Sequence, residues 1–486
     1  MSLVTETIAE PTMAGLRAAR DRATAADLVE LRLDFVEDLD VAGALAGRTR
    51  PAIVTCRAAW EGGRFGGSEE ERLRILSHAV ALGAEYVDLE WRADRSQVPV
   101  REGTTRVVSF HDHEGMPRDV AGHVRAMCDE PQSIVKIAVT ARRLRDCVTL
   151  RDAVRDLDHR HVAIAMGSGG QLTRLCPWIV GSEWTYGGTA ASGQTSTGDL
   201  IDTYRVRTTG PASEMFAVAG APLGHSASPA MHNAALAACG MDGVYIPLET
   251  ADADELLSVA EALGVRGISV TAPLKTGVFA RATHRDELST RVGAVNTLRR
   301  TANGWEGANF DAAGFLAPLD RRGHALEGTR AVVLGAGGAA RTVAWALASR
   351  GAHVEISARR RERADRVAGE LGVTVGEWPP AAGWDLLVNT TPVGTWPETA
   401  ASPIAASHVR GGTVYDLIYN PAATQLMTVA EGSGLRAIGG LEMLVSQAGL
   451  QFNWWTGREA PEDVMARAAR EFIDRGTREP HEAHHV

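Results

Sequence analysis

The sequence predicts an α/β protein in which an N-terminal TIM (β/α)8 barrel precedes a two-domain unit that contains a Rossmann domain. Two observations predict this architecture. Short apolar runs alternate with helical stretches within roughly the first 200 residues, which is the size of a compact barrel. Beyond them, a glycine-rich turn joins a strand to a helix inside a second alternating region, as in dinucleotide-binding domains. The expected domains are residues 1–208, residues 214–320 completed by C-terminal helices at 441–475, and residues 321–440.

The barrel strands are predicted from apolar runs separated by helical segments, for example 69–82 and 142–157. Alternation of this kind is typical of parallel strands, and the carboxyl ends of barrel strands form the active-site face. A Thr-Thr-Gly-Pro-Ala segment at 208–212 is typical of a linker. The eight predicted strands are 3–8, 27–33, 52–56, 85–90, 106–110, 133–139, 161–166 and 183–186.

Composition excludes several classes of function. The chain of 486 residues has 60 acidic and 50 basic side chains and a net charge of −10, and neither half has the basic excess of a nucleic-acid binder. Its five cysteines are odd in number and lack CxxC spacing, which favours reduced thiols in a cytoplasmic protein. No signal peptide and no apolar run of about 18 residues are visible, so we expect no membrane span. Small molecules are the expected partners, and the oligomeric state stays open.

Lysine is almost absent from the chain. Lys136 and Lys275 are the only lysines among the 50 basic residues, and the others are arginine. An amine can lose its proton and form a Schiff base, whereas a guanidinium is always charged and is a very poor nucleophile. The two lysines are therefore candidates for positions where arginine cannot serve.

The first candidate cluster lies in the barrel. Lys136 lies within an apolar strand, where burial is expected to lower its pKa and to leave part of the amine neutral for attack on a ketone. The alternative is a structural lysine paired with a carboxylate. His111 ends the preceding strand and is a suitable proton shuttle. With Asp112 and His113 it also permits a metal site, but no Cys cluster or HExxH motif joins them, and we expect no metal.

Several strings of the first half resemble the type I 3-dehydroquinate dehydratases over residues 1–207: Glu-Leu-Arg-Leu-Asp at 30–34, Thr-Cys-Arg at 55–57, Tyr-Val-Asp-Leu-Glu at 86–90, Ser-Phe-His-Asp at 109–112, Val-Lys-Ile at 135–137 and Gly-Gln at 193–194. The resemblance implies that Lys136 forms a Schiff base with the ring ketone, that His111 moves the neighbouring proton and that Glu90 orients or tunes His111. Arg174 would hold the substrate carboxylate. The remaining implied pocket residues are Glu30, Arg32, Arg57 and Gln194.

The lid loop departs from that family's pattern. Ala190 stands where the family usually has a substrate-touching Ser, and Ser192 stands where it has Pro. One lid contact is therefore expected to differ, without loss of the reacting groups. Independently of the resemblance, three arginines near one mouth favour a carboxylate ligand bound bidentately, although each arginine alone is more often a salt-bridge residue.

The second candidate cluster surrounds Lys275, which follows Pro273 and is expected on a loop or in a first helical turn. A Lys275–Asp311 pair beside a nicotinamide could pass a proton to a carbonyl as hydride arrives; the alternative is a simple ion pair. Ser226 and Ser228 precede a predicted helix and are candidate carboxylate donors, with a helix cap as the alternative.

Together with Gly-Ala-Val-Asn-Thr at 293–297 and the strings at 389–394, 415–421 and 439–447, these residues resemble the shikimate dehydrogenases over about 214–475. The resemblance implies that Lys275 is the catalytic acid/base with Asp311 beside it. Phe310 stands where that family usually has Thr, and Ser269 where Asn is common. The implied binding residues for shikimate or 3-dehydroshikimate are Ser226, Ser228, Thr271, Asn296, Asp311, Tyr419 and Gln447.

The cofactor preference is predicted from the strand after the glycine-rich turn. A site that prefers NAD has an acid at the end of this strand, but Glu355 falls in mid-strand. A basic run follows the strand end instead, and it suits the additional phosphate of NADP, although part of it could be a solvated helix start. The predicted NADP(H)-binding residues are Gly335, Ala336, Gly337, Gly338, Ala339, Ala358, Arg359, Arg360, Arg363, Leu417 and Gly440.

The two resembling families catalyse consecutive steps. The sequence therefore predicts a bifunctional enzyme that dehydrates 3-dehydroquinate to 3-dehydroshikimate and reduces this product to shikimate with NADPH. Fusion raises the local concentration of the intermediate, and we expect no direct tunnel. Two alternatives stay open: the dehydrogenase half acts on quinate in catabolism, or one half is a non-catalytic ligand-sensing module.

Overall fold

The computed structural model describes residues 2–188, 194–224 and 226–478. The lid positions Ala190 and Ser192 lie outside the described residues. The chain divides into two compact units. The first comprises the residues up to Leu223 together with Asp242–Val265, and the second comprises Gly224–Met241 and the residues from Arg266 onwards.

The first unit contains the predicted barrel. Its eight strands are all parallel and follow the order β7-β6-β5-β4-β3-β2-β1-β8, a nearly closed TIM-like barrel. The strands are β1 (Leu3–Ile8), β2 (Leu28–Arg32), β3 (Ala52–Thr55), β4 (Tyr86–Glu90), β5 (Thr105–Asp112), β6 (Ile134–Thr140), β7 (His161–Met166) and β8 (Trp184–Gly187). The helices between them are α1 (Met13–Arg22), α2 (Val41–Leu45), α3 (Glu69–Ala81), α4 (Val120–Met127), α5 (Arg145–Val154) and α6 (Gln171–Leu175).

Apolar side chains on both faces of the strands explain why they read as nearly continuous hydrophobic runs. One buried cluster consists of strand residues alone, among them Leu28, Ile53 and Trp184. Another joins strands to the surrounding helices, for example Val54 to Leu76 of α3. Buried charged groups within the strands, such as Glu30, Asp88 and Lys136, are therefore exceptions to this apolar pattern.

The first unit also contains three elements beyond the barrel: the parallel strands β9 (Glu214–Gly220) and β10 (Gly243–Glu249), and helix α8 (Ala253–Leu263). Helix α8 packs against α5 of the barrel. The backbone N–H of Arg145 donates to Glu255 Oε1 at 3.2 Å, and Arg151 Nη1 donates to the Ala262 carbonyl at 2.7 Å. The barrel and this segment therefore share one compact unit.

The second unit contains four strands that are neighbours within one sheet, in the order β11-β13-β14-β12. Strand β13 is antiparallel to β11 and β14, whereas β12 is parallel to β14. These strands are β11 (Gly267–Val270), β12 (His284–Arg285), β13 (Thr297–Thr301) and β14 (Gly304–Ala308). The helices around it are α7 (Ser228–Ala238), α9 (Lys275–Arg281), α10 (Glu287–Val292), α11 (Asp311–Arg321), α15 (Gly440–Thr456) and α16 (Glu462–Arg478).

A six-stranded parallel sheet completes the second unit, with the order β17-β16-β15-β18-β19-β20. This is the strand order of a Rossmann fold, whose ligand crevice lies where the order reverses, here between β15 and β18. The strands are β15 (Arg330–Leu334), β16 (His353–Ser357), β17 (Thr374–Val375), β18 (Trp384–Asn389), β19 (Gly411–Asp416) and β20 (Arg436–Gly439). The helices are α12 (Gly338–Ser349), α13 (Arg361–Leu371) and α14 (Gln425–Gly432).

The predicted fold class is therefore confirmed. In the part of the chain that the structure describes, no helix has both the length and the apolar character needed to cross a membrane.

Candidate active sites

A cavity of about 110 Å³ opens at the carboxyl ends of the barrel strands. It is lined by seven of the residues predicted for this site: Glu30, Arg32, Arg57, His111, Lys136, Arg174 and Gln194. It is also lined by residues that were not predicted: Thr7, Glu61, Gly62, His113, Ala138, Ile164, Met166 and Tyr186. The convergence follows from the parallel barrel, which gathers all strand ends at one face.

Lys136 is only 4% exposed and lies between two carboxylates. Its Nζ is 3.1 Å from Glu30 Oε1 and 3.0 Å from Asp88 Oδ2, and it also lies over the Tyr186 ring. Burial alone would lower the pKa of Lys136, but the charges of Asp88 and Glu30 outweigh this and raise it. The structure thus corrects the expectation that burial leaves part of the amine neutral: both carboxylates hold it as an ammonium.

Asp88 is a functional candidate that sequence reasoning missed. It is buried on β4, where Ser109 Oγ donates to its Oδ1 at 2.6 Å and Arg57 Nη2 lies 2.9 Å away. Despite burial, these partners and Lys136 lower the pKa of Asp88 to about 2, so that it stays ionised. A buried acid inside a strand is the sequence signal that could have revealed it, because such a charge needs a partner.

His111 contacts one carboxylate twice. Glu61 Oε2 lies 3.0 Å from Nδ1 of the His111 ring and accepts the backbone N–H of the same residue, also at 3.0 Å. Burial and the nearby positive charges of Arg57 and Lys136 hold the pKa of His111 well below its usual value, so the ring is neutral. Because Oε2 accepts the backbone N–H, we assign the ring proton to Nδ1, which leaves Nε2 free to act as a base.

The structure corrects the expectation that Glu90 orients His111. Glu90 is fully buried behind the cavity lining, where its Oε1 accepts from Arg57 Nη1 at 3.0 Å and its Oε2 from Arg72 Nη1 at 2.7 Å. The backbone N–H of Ala58 also donates to it, at 2.9 Å. Glu90 therefore fixes Arg57 and the start of the loop after β3, whereas the carboxylate that contacts His111 belongs to Glu61.

The path of the loop after β3 explains the difference. Gly62 has a φ of +80°, and a Cβ at Gly63 would lie 1.9 Å from the Arg57 carbonyl oxygen, so the loop folds back closely on Arg57. This fold places Glu61 over His111. The string Arg-Ala-Ala-Trp-Glu-Gly-Gly at 57–63, an acid followed by two glycines after a strand, was the signal available in the sequence.

Arg174 differs from the other two arginines of the cavity. Arg32 is paired with Asp34 at 2.9 Å, and Arg57 with two buried acids. Arg174 is 6% exposed and has no acidic partner within ion-pair distance among the described residues; its Nη1 donates weakly, at 3.4 Å, to a carbonyl oxygen. Burial lowers the pKa of Arg174 to about 10, which still leaves it charged. It is therefore the cation of this cavity that is available to an anion. Gln194 at the rim donates to Thr7 Oγ1 at 3.4 Å.

The second site lies where α9 and α11 begin. Lys275 is the first residue of α9, and its Nζ lies 2.5 Å from Oδ2 of Asp311, the first residue of α11. Asn296 Nδ2 donates to Asp311 Oδ1 at 2.8 Å and to Gln447 Oε1 at 3.3 Å. The structure thus brings together four of the predicted residues. Thr271 lies on the loop between β11 and α9, four residues before Lys275.

A further group of predicted residues meets at the start of α7. Ser226 Oγ accepts the backbone N–H of Ser228 at 3.3 Å, and the Tyr419 hydroxyl contacts the backbone of Ala227. Burial raises the pKa of Tyr419, which keeps its hydroxyl protonated. Two serine hydroxyls and one tyrosine hydroxyl at a helix N-terminus are suited to an anionic or hydroxylated ligand.

The two departures from the expected dehydrogenase pattern leave the Lys275–Asp311 pair in place. The Phe310 ring packs edge-on against Trp454 at 5.7 Å, while its backbone N–H donates to Asn296 Oδ1 at 3.0 Å. Ser269 Oγ donates to Gln451 Oε1 at 2.8 Å. Both side chains therefore lie against α15.

A cavity of about 340 Å³ lies at the carboxyl ends of β15 and β16. Gly338 and Ala339 form the first turn of α12. Leu417 and Gly440 lie outside this cavity and contact each other, since a Cβ at Gly440 would lie 2.1 Å from the Leu417 carbonyl oxygen. The predicted residues that line the cavity are Gly335, Ala336, Gly337, Ala358, Arg359, Arg360 and Arg363. The cavity is also lined by residues that were not predicted: Trp378, Thr390, Thr391, Pro392, Val393, Ser402 and Pro403.

The geometry fits a dinucleotide. Gly335 has a φ of +112°, and a Cβ there would lie 2.7 Å from Thr390 Oγ1, so only glycine leaves room at this turn. The N-terminus of α12 follows directly and supplies unpaired N–H groups for a pyrophosphate. Glu355 lies in the middle of β16, as expected, and not at the strand end, where it would meet a ribose. Its carboxylate is 3.5 Å from the guanidinium of Arg330.

The basic run beside the cavity is free to bind a phosphate. Arg361 lies 3.5 Å from Asp365, whereas Arg359, Arg360 and Arg363 are exposed and have no ion pair within the described ranges. Three unpaired guanidinium groups around one mouth favour a nucleotide with an additional phosphate. In the same ranges, no three His, Cys, Asp or Glu side chains are grouped to hold a metal ion.

Comparison with known proteins assigns both halves of the chain. The family model for type I 3-dehydroquinase matches residues 5–211. The model for the shikimate dehydrogenase substrate binding domain matches residues 218–298, and that for the shikimate 5'-dehydrogenase C-terminal domain matches residues 440–470.

Individual relatives cover one or both halves. The chloroplastic bifunctional 3-dehydroquinate dehydratase/shikimate dehydrogenase of Arabidopsis thaliana is 31% identical over 477 residues, covering 90% of this chain and 79% of the relative. The shikimate dehydrogenase (NADP(+)) of Moorella thermoacetica is 42% identical over 276 residues, covering 53% of this chain and 92% of the relative. The crystal structure of shikimate 5-dehydrogenase from Thermus thermophilus with NADP(H) and shikimate is 37% identical, covers 53% of this chain and 99% of that one, and has a TM-score of 0.50.

Proposed function

This chain belongs to the family of bifunctional 3-dehydroquinate dehydratases/shikimate dehydrogenases, and from this membership we propose that it catalyses two consecutive reactions. The barrel dehydrates 3-dehydroquinate to 3-dehydroshikimate, and the second site reduces this product to shikimate with NADPH. One observation carries the proposal: the only two lysines of the chain lie at two separate sites, each held by a carboxylate. Neither quinate as substrate nor a ligand-sensing half is favoured by a specific contact.

In the dehydration, the Lys136 amine attacks the ring ketone and forms an imine with loss of water. The imine acidifies the neighbouring C–H, and neutral His111 removes this proton through Nε2. Glu61, bonded to Nδ1, stabilises the imidazolium that results. His111 then returns the proton to the departing hydroxyl, and hydrolysis of the imine releases the product and the amine. The net reaction is loss of one water molecule.

The roles of the other barrel residues follow from their charges. We assign the substrate carboxylate to Arg174, the buried cation that has no acidic partner within ion-pair distance among the residues described. Glu30 and Asp88 keep Lys136 charged until substrate arrives. Arg32, Arg57 and Gln194 line the remaining wall of the cavity and are assigned to the substrate hydroxyls and ring.

In the reduction, bound NADPH would supply the hydride. Lys275 donates the proton to the carbonyl oxygen. Asp311 holds the ammonium of Lys275 at 2.5 Å and keeps it directed. Ser226, Ser228 and Tyr419 are assigned to the carboxylate end of the substrate, and Thr271, Asn296 and Gln447 to its hydroxyls. The residues assigned to NADP(H) are Gly335, Ala336, Gly337, Gly338, Ala339, Ala358, Arg359, Arg360, Arg363, Leu417 and Gly440.

We further propose the functional domains 1–208, 214–320 with 441–475, and 321–440. The barrel and the Rossmann sheet support the first and the third. The second would include β9, β10 and α8, which the structure groups in one compact unit with the barrel. A cytoplasmic location without nucleic-acid or membrane partners is supported by the net charge of −10 and by five cysteines that are all free. The relative from Arabidopsis is chloroplastic, so fractionation of the native host is the direct test of location.

The testing experiment supplies 3-dehydroquinate and NADPH together and follows the enone product and the reduced nicotinamide. Oxidation of NADPH that depends on 3-dehydroquinate is expected. Lys136→Arg should abolish dehydration but leave reduction of added 3-dehydroshikimate intact, and Lys275→Arg should do the reverse. Borohydride added with 3-dehydroquinate should attach the reduced ligand at Lys136, as seen by mass spectrometry. Retention of dehydration by Lys136→Arg would exclude the imine mechanism.

A further inference from the structure

We propose that Thr297 and Gln451 are positioning residues for the reduction: through one directed chain of hydrogen bonds they fix the Asn296 amide, which in turn holds Asp311 against Lys275. The inference rests on the proposed function of the second site. Neither residue belongs to the sets assigned to substrate or cofactor. Thr297 ends the string at 293–297 that carries part of the resemblance, but no role was assigned to it there.

The series of hydrogen bonds begins at Gln451, inside α15. Gln451 Oε1 accepts from Ser269 Oγ at 2.8 Å, so its Nε2 faces the opposite side. There Nε2 donates to Thr297 Oγ1 at 2.9 Å and to the backbone carbonyl of Asn296 at 3.4 Å. Since Thr297 Oγ1 already accepts this hydrogen, its own hydroxyl proton is directed to Asn296 Oδ1, 2.7 Å away.

These hydrogen bonds fix the orientation of the Asn296 side-chain amide. Its Oδ1 accepts two hydrogens, from the Thr297 hydroxyl and from the Phe310 backbone N–H at 3.0 Å. Its Nδ2 therefore points the other way, and its two hydrogens go to Asp311 Oδ1 at 2.8 Å and to Gln447 Oε1 at 3.3 Å. A flipped amide would place the NH₂ group against two donors and the oxygen against two acceptors. The amide thus has a single satisfied orientation.

Asp311 then has one oxygen for each neighbour. Oδ1 is taken by Asn296, and Oδ2 faces Lys275 Nζ at 2.5 Å. An ammonium that donates a proton during hydride transfer must be held within a few tenths of an ångström of its productive position, and rate is sensitive to such placement. The path from Gln451 to Lys275 therefore links the interior of α15 to the proton donor.

Burial keeps water from replacing the hydrogen bonds of Thr297 and Gln451. Thr297 is 0% exposed and Gln451 is 2% exposed, so water cannot replace either partner. A purely structural hydroxyl would have bonded to a nearby backbone carbonyl, as Thr301 does at the end of β13, where Oγ1 donates to the carbonyl of Gly304, the first residue of β14, at 3.0 Å. Thr297 instead donates its only hydroxyl hydrogen to the side chain of Asn296 in the site.

The first test is Thr297→Val, which keeps the shape of the side chain and removes its hydroxyl. We expect kcat for reduction of 3-dehydroshikimate to fall by about two- to tenfold, the range that loss of one buried hydrogen bond represents. KM should change little, because the substrate contacts remain. Thr297→Ser restores the hydroxyl and should restore kcat. Dehydration of 3-dehydroquinate by the same preparation measures the amount of active chain, and Thr301→Val, a matched loss of a hydroxyl on the same strand, should leave both activities unchanged.

The second test is a double-mutant cycle with Gln451→Met, which removes the amide at similar volume. Residues that act through one chain are non-additive, so the double variant should lose no more kcat than Thr297→Val alone. Should Thr297→Val unfold the second unit, as shown by thermal unfolding, Gln451→Met carries the test alone, with the same expected loss in kcat at unchanged KM.

Three outcomes overturn the proposal: wild-type kcat in Thr297→Val or Gln451→Met, failure of Thr297→Ser to restore kcat, or strict additivity in the cycle. A wild-type chain that does not reduce 3-dehydroshikimate would instead contradict the proposed function itself, so the two failures are distinguishable.

Discussion

Replacing Glu61 by Gln removes the charge that faces His111 and preserves the size of the side chain. We expect this variant to lose dehydratase kcat with little change in KM, because Glu61 contacts His111 and, in the proposed mechanism, stabilises the imidazolium formed when the proton is abstracted. The amide oxygen of Gln can still accept the Nδ1 hydrogen, so the ring orientation is retained. The variant therefore isolates the charge from the hydrogen bond.

The magnitude follows from the distance. At the 3.0 Å between His111 Nδ1 and Glu61 Oε2, and with an effective dielectric constant of about 20, the Coulomb attraction is about 5 kcal/mol, which is an upper limit. Charge-assisted hydrogen bonds exceed neutral ones by about 1–2 kcal/mol, which is a lower limit. Since about 1.4 kcal/mol corresponds to tenfold in rate, we expect kcat to fall by about tenfold or more.

The pH profile gives a second measurement on the same residue. Burial raises the pKa of Glu61 to about 7, although the positive charge of Arg57 opposes the shift. The carboxylate that stabilises the imidazolium is therefore lost as pH falls through about 7, while His111, whose pKa is low, stays neutral. We expect dehydratase kcat/KM to rise with pH through about 7 in the wild type, and this rise should disappear in Glu61→Gln.

The contribution of Glu61 to folding stability should fall as pH rises, whereas its contribution to activity should rise. A carboxyl group whose pKa is raised from 4.5 to about 7 stabilises the fold fully below pH 4.5 and loses this contribution as pH rises through about 7. The lowered pKa of His111 acts the other way, since its contribution is present above about 6.5 and is lost as pH falls. Glu61→Gln should remove only the first component.

The assay is the initial rate of enone formation from 3-dehydroquinate between pH 5.5 and 8.5. Reduction of added 3-dehydroshikimate by the same chains serves as internal control and should be unaffected. Glu90→Gln is the matched carboxylate variant: because Glu90 is buried between Arg57 and Arg72, we expect it to destabilise the fold by about 3–5 kcal/mol. Wild-type kcat and an intact rise near pH 7 in Glu61→Gln would refute the assignment.

Three further predictions concern ligand binding. Arg174→Gln should raise KM for 3-dehydroquinate by about ten- to hundredfold, the value of one charged hydrogen bond, measured by initial rates. Arg359→Ala and Arg360→Ala should each lower kcat/KM for NADPH by a similar factor and leave NADH unchanged, measured with both nucleotides. Gly335→Ala should raise KM for NADPH, because its Cβ would lie 2.7 Å from Thr390 Oγ1 at a φ of +112°; titration of nucleotide binding checks it.

Each of these predictions has its own contradiction. Unchanged KM in Arg174→Gln would mean that another group holds the substrate carboxylate. An equal loss with NADPH and NADH in the arginine variants would point to a general effect on the fold instead of phosphate recognition. Gly335→Ala should not alter dehydration, and wild-type affinity for NADPH in this variant would show that the turn accommodates a side chain.

Much of the fold could be predicted because its strands are buried on both faces. All eight barrel strands were expected, and two of them, 3–8 and 161–166, coincide with the observed β1 and β7. Strand ends differ by one or two residues: the fifth strand was expected at 106–110 and spans Thr105–Asp112. Apolar runs indicate where a strand is buried, whereas its last residues are decided by hydrogen bonds to neighbours that the pattern does not contain.

The candidate sites were predictable where a strand end or a helix start positions the residue. Lys136 and His111 converge because parallel strands end at one face, and Lys275 meets Asp311 because two helices start there. Arg174 was expected at a strand end but lies in α6, which follows β7 and brings it to the same cavity. Glu61 was missed because it lies on a loop whose path depends on the close packing of glycines and not on periodicity. Asp88 was missed because its partners lie on other strands.

The two lysines show why location could be predicted and protonation could not. Lys136, which we propose forms an imine, is buried, and an ammonium can be buried only with counter-charges, so Glu30 and Asp88 are the condition for its burial. These same carboxylates raise the pKa of Lys136, so substrate must disturb one of these contacts before the amine can attack. Lys275 is instead proposed to act as an acid; its side chain is 34% exposed, and Asp311 is its ion-pair partner. In the proposed reactions, the same residue type, paired with the same kind of partner, is thus required in opposite protonation states.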